Sequence, residues 1–290
     1  MSSVSFRSSA AANNGIGTGG SLTITKPAGL VVGDMMFVHL IGQDAGAGNA
    51  LTYTSSGFTQ LFTSGNLSGS NINYNILWKV AVAADVAAAS FVFVPSTSNV
   101  NVWSYGRLSA WTNPDNLFPI NVSNVGTGLS TASATSSGIT PTVSPILLLM
   151  FAGGSNDSAI RTVASYAVVT TNPTWTEHYD ASVTPASTAQ RLTLAVATGF
   201  RTALTATGNA TATFSGSQET YQLAIIALAQ HVNRPTSIVL PLTVPNVIIP
   251  FVAQSISALL TVVEPVIVIV ANKWSNTQKN VSAWLNPPKS

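Results

Sequence analysis

The run Met35-Met-Phe-Val-His-Leu-Ile41 is the stretch the rest of the chain repeats. It follows a polar turn, Pro27-Ala-Gly29, and a Gly33-Asp34 lead-in, and it is followed by Gly42, Asp44 and Gly46. An apolar run of this length between turn residues fits a strand covered on both faces. The pattern returns at Pro141-Thr-Val-Ser-Pro-Ile-Leu-Leu-Leu-Met-Phe-Ala152, followed by Gly153, Gly154, Asn156 and Asp157.

Other elements recur in the same order. Pro173-Thr-Trp-Thr-Glu177 matches Gly57-Phe-Thr-Gln60, and Arg191-Leu-Thr-Leu-Ala-Val-Ala197 matches Ile76-Leu-Trp-Lys-Val-Ala81. Ala210-Thr-Ala-Thr-Phe-Ser215 matches Ser90-Phe-Val-Phe-Val94, and Tyr221 to Ala229 matches Tyr105 to Trp111. Val4–Ser8, Ser21–Thr25 and Leu51–Thr54 alternate and read as further strands. Ala10–Gly20 reads as a loop, Ala83–Val86 as a turn, and Pro119–Thr140 as a linker or a crossing connection between sheets.

Short strands between Gly, Pro and Asn turns, with no amphipathic helix, indicate an all-β sandwich. The 290 residues suffice for one large β domain or two smaller ones. The leading expectation is a jelly-roll-like β-sandwich over residues 1–232, built from two pseudo-repeated halves that each contribute to both sheets; two small tandem sandwiches are the second.

Residues 1–232 resemble the β-sandwich modules of bacteriophage virion proteins, tail-fibre and head-associated proteins among them. The resemblance rests on the Pro27, Gly29, Gly33-Asp34 lead, on Gly57-Phe58-Thr59, on Trp78-Lys79-Val80-Ala81, on Ser90-Phe91, and on Thr140-Pro141 before Ile146–Met150. Phe58 stands where such modules carry Trp, whereas Pro173-Thr174-Trp175-Thr176 keeps the Trp and drops the glycine. The resemblance implies a virion or adhesive setting, with assembly in the host cytoplasm, and no activity.

Residues 233–290 differ from what precedes them and read as an extended, hydrophobic, Pro-rich assembly arm. Aliphatic residues dominate Ser237–Val270, and Pro241, Pro245, Pro250 and Pro265 interrupt them. These prolines, with Glu264, argue against a membrane span, which needs a helix of about 20 apolar residues. Proline at that spacing suits edge strands and arms. An apolar arm needs a cover: it either folds back on its own sandwich or docks on neighbouring subunits or a larger particle, and the second is the expectation. Phe251, Trp274 and Trp284 are its expected interface anchors.

Catalytic chemistry finds little support. His39 sits inside an apolar strand, and His231 opens the C-terminal segment. Glu177, His178 and Asp180 form the densest polar cluster; alternation along a strand would part Glu177 from His178 and put His178 with Asp180. Asp44 with Asn49, and Asn156 with Asp157, are loop oxygens of the kind a Ca²⁺ site uses, and equally of the kind turns use. Gly17–Gly20 is not followed by Gly-Lys-Ser/Thr, and no Gly-x-Ser-x-Gly is present. Trp103, Tyr105 and Trp111 share one side of a strand, as sugar-stacking or core aromatics would. No catalytic residue, metal ligand or cofactor is expected.

Charged residues make up only 7% of the chain, against about 25% on average, so little repulsion keeps copies apart. No basic patch suggests nucleic acid. Without cysteine there is no disulfide frame. No signal-peptide pattern opens the chain, so an extracellular role would imply release by lysis. The expected function is a non-enzymatic structural component of a phage virion (a head decoration, fibre or tail protein), acting through homo-oligomerisation and contacts with other virion proteins. The alternative is a receptor-binding module for a host surface glycan. A glycan hydrolase would need paired carboxylates across a cleft and is the weakest reading.

Overall fold

The computed structural model describes residues 3–14, 21–44, 50–65, 67, 71–97, 102–115, 119–157, 159–184, 191–230, 259–263 and 266–270. The chain divides into two units, Met1–Val232 and Asn233–Ser290.

The first half of the larger unit contains β1 (Ser5–Asn13), β2 (Leu22–Thr25), β3 (Met35–Asp44), β4 (Tyr53–Thr54), β5 (Thr59–Thr63), β6 (Ile72–Val80), α1 (Ala83–Ala87), β7 (Ser90–Pro95) and β8 (Val102–Thr112). One antiparallel sheet has the order β1-β8-β3-β6-β5, and a smaller one the order β2-β7-β4. The pairs β1 with β8, β2 with β7 and β3 with β6 are successive stretches of one ribbon wound on itself, which is a jelly roll. Leu22, Ile24, Tyr53, Phe91 and Phe93 of the smaller sheet pack on Met36, Val38, Leu40, Leu77 and Leu108 of the larger.

The second half contains β9 (Ile120–Ser136), β10 (Ile146–Asn156), β11 (Val163–Val168), β12 (Trp175–Val183), β13 (Arg191–Arg201) and β14 (Ala210–Ala229). It repeats the winding with fewer, longer strands. Residues 220–229 of β14 pair with β10 and with residues 120–129 of β9; residues 210–214 pair with β11 and with residues 133–136 of β9. Both long strands change layer midway. β9 turns at Ser130, whose φ is 50°, and folds back so closely that a Cβ on Gly126 would meet the Thr135 carbonyl and the Ser136 Cα. The two legs of β9 thus occupy the places of β1 and β2, and those of β14 the places of β7 and β8. The larger sheet, β9-β14-β10-β13-β12, follows the order of β1-β8-β3-β6-β5.

The all-β sandwich is therefore a pair of jelly rolls. Each half closes its own two sheets; the expectation that each half would contribute to both sheets of one sandwich does not hold, because among the described residues no ladder joins a strand of one half to a strand of the other. The two large sheets then pack face to face. Phe37, Ile41, Ile76, Trp103 and Trp111 of the first half meet Leu147, Leu149, Phe151, Leu194, Val196 and Ile226 of the second. This explains the two aliphatic runs. β3 and β10 are covered on one face by their own small sheet and on the other by the opposite half, and every residue in both is buried.

Four local expectations are corrected. β1 continues through Ala10–Asn13, and β3 through Gly42–Asp44, because both pair with β8 over those residues. The Ala83–Val86 turn is a short helix, α1, held by Asp85: its carboxylate accepts the Val82 N–H (2.9 Å) and pairs with Lys79 (2.7 Å). Pro119–Thr140 is mostly strand, because β9 follows β14 along both of its legs.

The Gly33-Asp34 lead-in has a physical reason. Gly33 adopts φ 89°, and buried Asp34 accepts from Arg7 Nε (2.6 Å), Arg7 Nη2 (3.1 Å) and the Val31 N–H (3.0 Å). Asp34→Ala is expected to cost about 3 kcal/mol, since it strands a part-buried guanidinium and uncaps the turn. Urea midpoints of the two proteins check this.

In the smaller unit, β15 (Leu259–Val263) and β16 (Val266–Val270) form an antiparallel ribbon in which Leu259 faces Val270. Among the described residues no helix is long and apolar enough to cross a membrane.

Candidate functional site

The residues that chemistry singles out in the sequence converge on the seam between the jelly rolls. Trp103, Tyr105 and Trp111 do share one face of β8, and it is the seam face; all three are buried. Trp103 Nε1 donates to Gln43 Oε1 (2.6 Å) and Trp111 Nε1 to Ser109 Oγ (3.0 Å). Tyr74 Oη donates across the seam to the Thr220 carbonyl (3.0 Å). The guanidinium of half-buried Arg107 lies 4.3 Å from the centre of the Tyr179 ring, a cation–π contact. As placed, the aromatic trio presents no surface on which a sugar could stack.

His39 is fully buried at this seam. Its ring meets Phe151 edge-on at 5.7 Å, and neither nitrogen has a well-aligned partner. Burial pushes its pKa down from 6.5 to about 3, with the Gln222 side chain opposing more weakly. His39 is a neutral packing residue in the folded chain. The unfolded chain binds its proton more readily between pH 6.5 and 3, so this residue makes stability fall as pH drops through that window. The slope is at most about 1.4 kcal/mol per pH unit. His39→Gln is expected to flatten the acid limb of stability against pH, as denaturant midpoints at pH 4, 5 and 7 would report.

The Glu177 to Asp180 cluster does not assemble as alternation predicts. A bulge in β12 inserts His178 between Glu177, opposite Ala197, and Tyr179, opposite Val196. The extra residue shifts the facing of everything after it. His178 turns to the seam, stacked on Phe6 at 4.5 Å and edge-on to Trp111 at 5.3 Å, with Nε2 2.8 Å from Thr198 Oγ1. Asp180 is on the other side, where Oδ2 accepts the Val163 N–H (2.6 Å) of β11. Glu177 does diverge from His178, but the pairing of His178 with Asp180 is overturned. Burial lowers the His178 pKa, raises Glu177, and raises Asp180 to about 6. Asp180 and Glu177 share their side with Tyr166, whose hydroxyl burial also shifts upward. Burial favours the neutral form of all three, and they make one small patch on the side away from His178.

The loop-oxygen pairs are also used locally. Asp44 is buried at the end of β3. Asn156 donates to the Ser217 carbonyl (2.8 Å) and accepts from the Ala159 N–H (2.9 Å), closing a turn. Among the described residues no three His, Asp or Glu side chains gather as a metal site would need. Asn49, Gly17–Gly20, His231, Phe251, Trp274 and Trp284 lie outside the described residues.

One surface feature escapes the sequence reading. The corresponding ends of the two face-to-face halves coincide: Pro114, just after β8, bridges to Gln230, just after β14, and the Asp115 N–H donates to the Ala229 carbonyl (3.0 Å). Gln230, the last described residue of the larger unit, therefore lies at the end where β8 and β14 both finish, here the exit end. Eleven large hydrophobic side chains are exposed among the described residues, and seven of them are at this exit end: Val31, Val32, Val82, Val143, Val169, Phe200 and Leu204. Two ion pairs lie at this end, Arg7 with Asp34 and Lys79 with Asp85, and buried Arg201 donates to Thr205 Oγ1 (3.0 Å) and the Ala206 carbonyl (3.2 Å). Nothing in the sequence periodicity marks these residues, because they sit in turns and at strand ends, where apolar residues carry no pattern.

The chain matches no protein-family model, no curated protein and no solved structure.

Proposed function

We propose that this chain is a non-enzymatic structural component of a phage virion, a head-decoration, fibre or tail protein, whose work is binding to neighbouring subunits. One observation carries the reading. The two described histidines and the aromatics that chemistry would use are packed where the two jelly rolls meet, while apolar surface gathers, among the described residues, at the end where β8 and β14 finish. Exposed apolar clusters of this kind mark interaction sites, and the low charge of the chain fits close packing among copies.

Antibody labelling of particles from a producing host, viewed by electron microscopy, tests the setting. Label at regular positions on heads or tails is expected, and label confined to soluble protein would sink the proposal. Deleting residues 233–290 tests the arm: the truncated chain is expected to sediment as a smaller species than the full one. Retention of the full-length assembly state would rule the arm out. The glycan-binding alternative has lost its aromatic platform to the core, so an array of host-surface glycans is expected to show no binding.

A further inference from the structure

We infer that Arg201, beneath the loop that follows β13, anchors a binding site for a small oxyanion, a phosphate or carboxylate group. The inference does not depend on the virion reading.

Arg201 is the last residue of β13 and stands opposite Ile146 of β10. Alternation puts it in one row with Ala195 and Ala197, on the face that carries the second half's own core. The residue is only 2% exposed. Its Nη2 donates to Thr205 Oγ1 (3.0 Å) and to the Ala206 carbonyl (3.2 Å). Nε and Nη1 are buried and have no acceptor. Nε carries one N–H and Nη1 two, so three of the five guanidinium N–H groups lack a partner. Arg201 enters no ion pair among the described residues; those present join Arg7 to Asp34 and Lys79 to Asp85. Burial pushes its pKa down from the ordinary arginine range, and no carboxylate opposes the shift. Other arginines are treated differently: Arg7 grips both oxygens of Asp34, and half-buried Arg107 lies over the Tyr179 ring and donates to Ser9 Oγ (3.1 Å).

The ligand class follows from the charge. A buried lysine or histidine can give up its proton, but arginine keeps it. An isolated buried cation is strongly unfavourable, and a well-packed apolar side chain of similar volume is commonly preferred to it. The neighbours on this face, Ile146 and Ala197, would suit a methionine, so packing alone does not call for a guanidinium. Water would meet the N–H groups and leave the charge uncompensated. An oxyanion supplies acceptors and counter-charge together. The path to it is short. The loop over Arg201 is pinned at both ends: Ser144 Oγ donates to the Thr202 carbonyl (2.7 Å), and Thr207 exchanges bonds with Ile139, its N–H donating (2.8 Å) and its Oγ1 accepting (2.9 Å). Between the pins Thr205 and Ala206 are exposed on their outer side, and Nη2 holds them from within. Those two bonds are the ones an entering oxyanion replaces.

Thermal unfolding of the full chain tests this, with phosphate, sulfate or acetate replacing chloride at constant ionic strength. At about ten times its dissociation constant a bound oxyanion is expected to raise the midpoint by about 3 °C, and further with concentration. A response to phosphate and sulfate alone assigns the site to tetrahedral anions, and one to acetate alone to carboxylates; either supports the inference. Arg201→Met is expected to be at least as stable as the parent chain in chloride and to lose the response. Should that variant fail to fold, the labelled parent chain decides: one arginine Nε–H resonance is expected to shift saturably with the anion. Absence of any response, in the midpoint and in the Nε–H resonances, overturns the inference. So does a full response retained by Arg201→Met, which would mark a general salt effect on burial. So does an Arg201→Met chain that folds but is less stable than the parent in chloride, since the guanidinium would then be satisfied within the fold.

Discussion

Trp111→Ala is expected to lower the stability of the double jelly roll by about 3–5 kcal/mol. Trp111 is fully buried, and it stands where the two halves meet. Its ring is edge-on to Phe6 at 5.1 Å and to His178 at 5.3 Å, so β1, β8 and β12 all lose a neighbour together. Its Nε1 also leaves Ser109 Oγ without that donor. Backbone ladders on both sides limit how far the site can collapse, so much of the cavity remains. Against a typical total of about 5–15 kcal/mol, the loss would be visible as a large shift in the urea midpoint. Trp78, only partly buried at the edge of the same core, serves as comparison, and its replacement by Ala is expected to cost less. A Trp111→Ala loss below about 1 kcal/mol would mean that the seam is not packed as described.

Gly126→Ala is expected to be nearly as damaging, at about 3 kcal/mol, for the opposite reason. The position needs absence of volume, not freedom of backbone. A Cβ there would run into the Thr135 carbonyl and come within 2.8 Å of the Ser136 Cα. Both obstacles are main chain, so no side-chain rotation relieves the clash, and the second leg of β9 must lift off the first. Hydrogen exchange is expected to speed up in residues 131–136 and 210–214, while β3, β6 and β8 keep their protection. Gly65→Ala, with nothing within 4 Å of the added atom, is the matched control and is expected to be neutral. Unchanged exchange in both legs of β9 for Gly126→Ala would contradict the folded-over arrangement.

The legible parts of this fold are those in which burial writes a pattern into one chain segment. β14 shows this within a single strand. Ala210-Thr-Ala-Thr-Phe214 alternates, since that leg lies in a cover layer with one face toward solvent. Leu223-Ala-Ile-Ile-Ala-Leu228 is unbroken, since that leg is covered on both faces. The two stretches read as separate strands in the sequence, and their continuity was hidden because Ser215-Gly216-Ser217, which reads as a turn, lies within the strand. β9 was harder still. Its Ser- and Thr-rich sequence has the composition of a linker, and it becomes a strand because β14 supplies a partner for each of its legs.

The candidate site divides in the same way. Placing Trp103, Tyr105 and Trp111 on one face needed only the two-residue period of a strand. The separation of His178 from Asp180 needed the bulge, a one-residue mismatch between β12 and β13 that neither strand's sequence records.

The sequence by itself determined that two aliphatic runs must be covered on both sides, that five elements recur in order, and that an apolar, proline-broken segment follows Val232. These are properties of segments, set by local periodicity and composition. Only the tertiary structure decided that each half winds into its own jelly roll, that the halves share a seam which absorbs both described histidines, and that the exposed valines and leucine come together at one end. Those outcomes depend on which strand lies against which, and the free energy that chooses between pairings is spread over contacts between residues well separated in the chain, where no local pattern can register it.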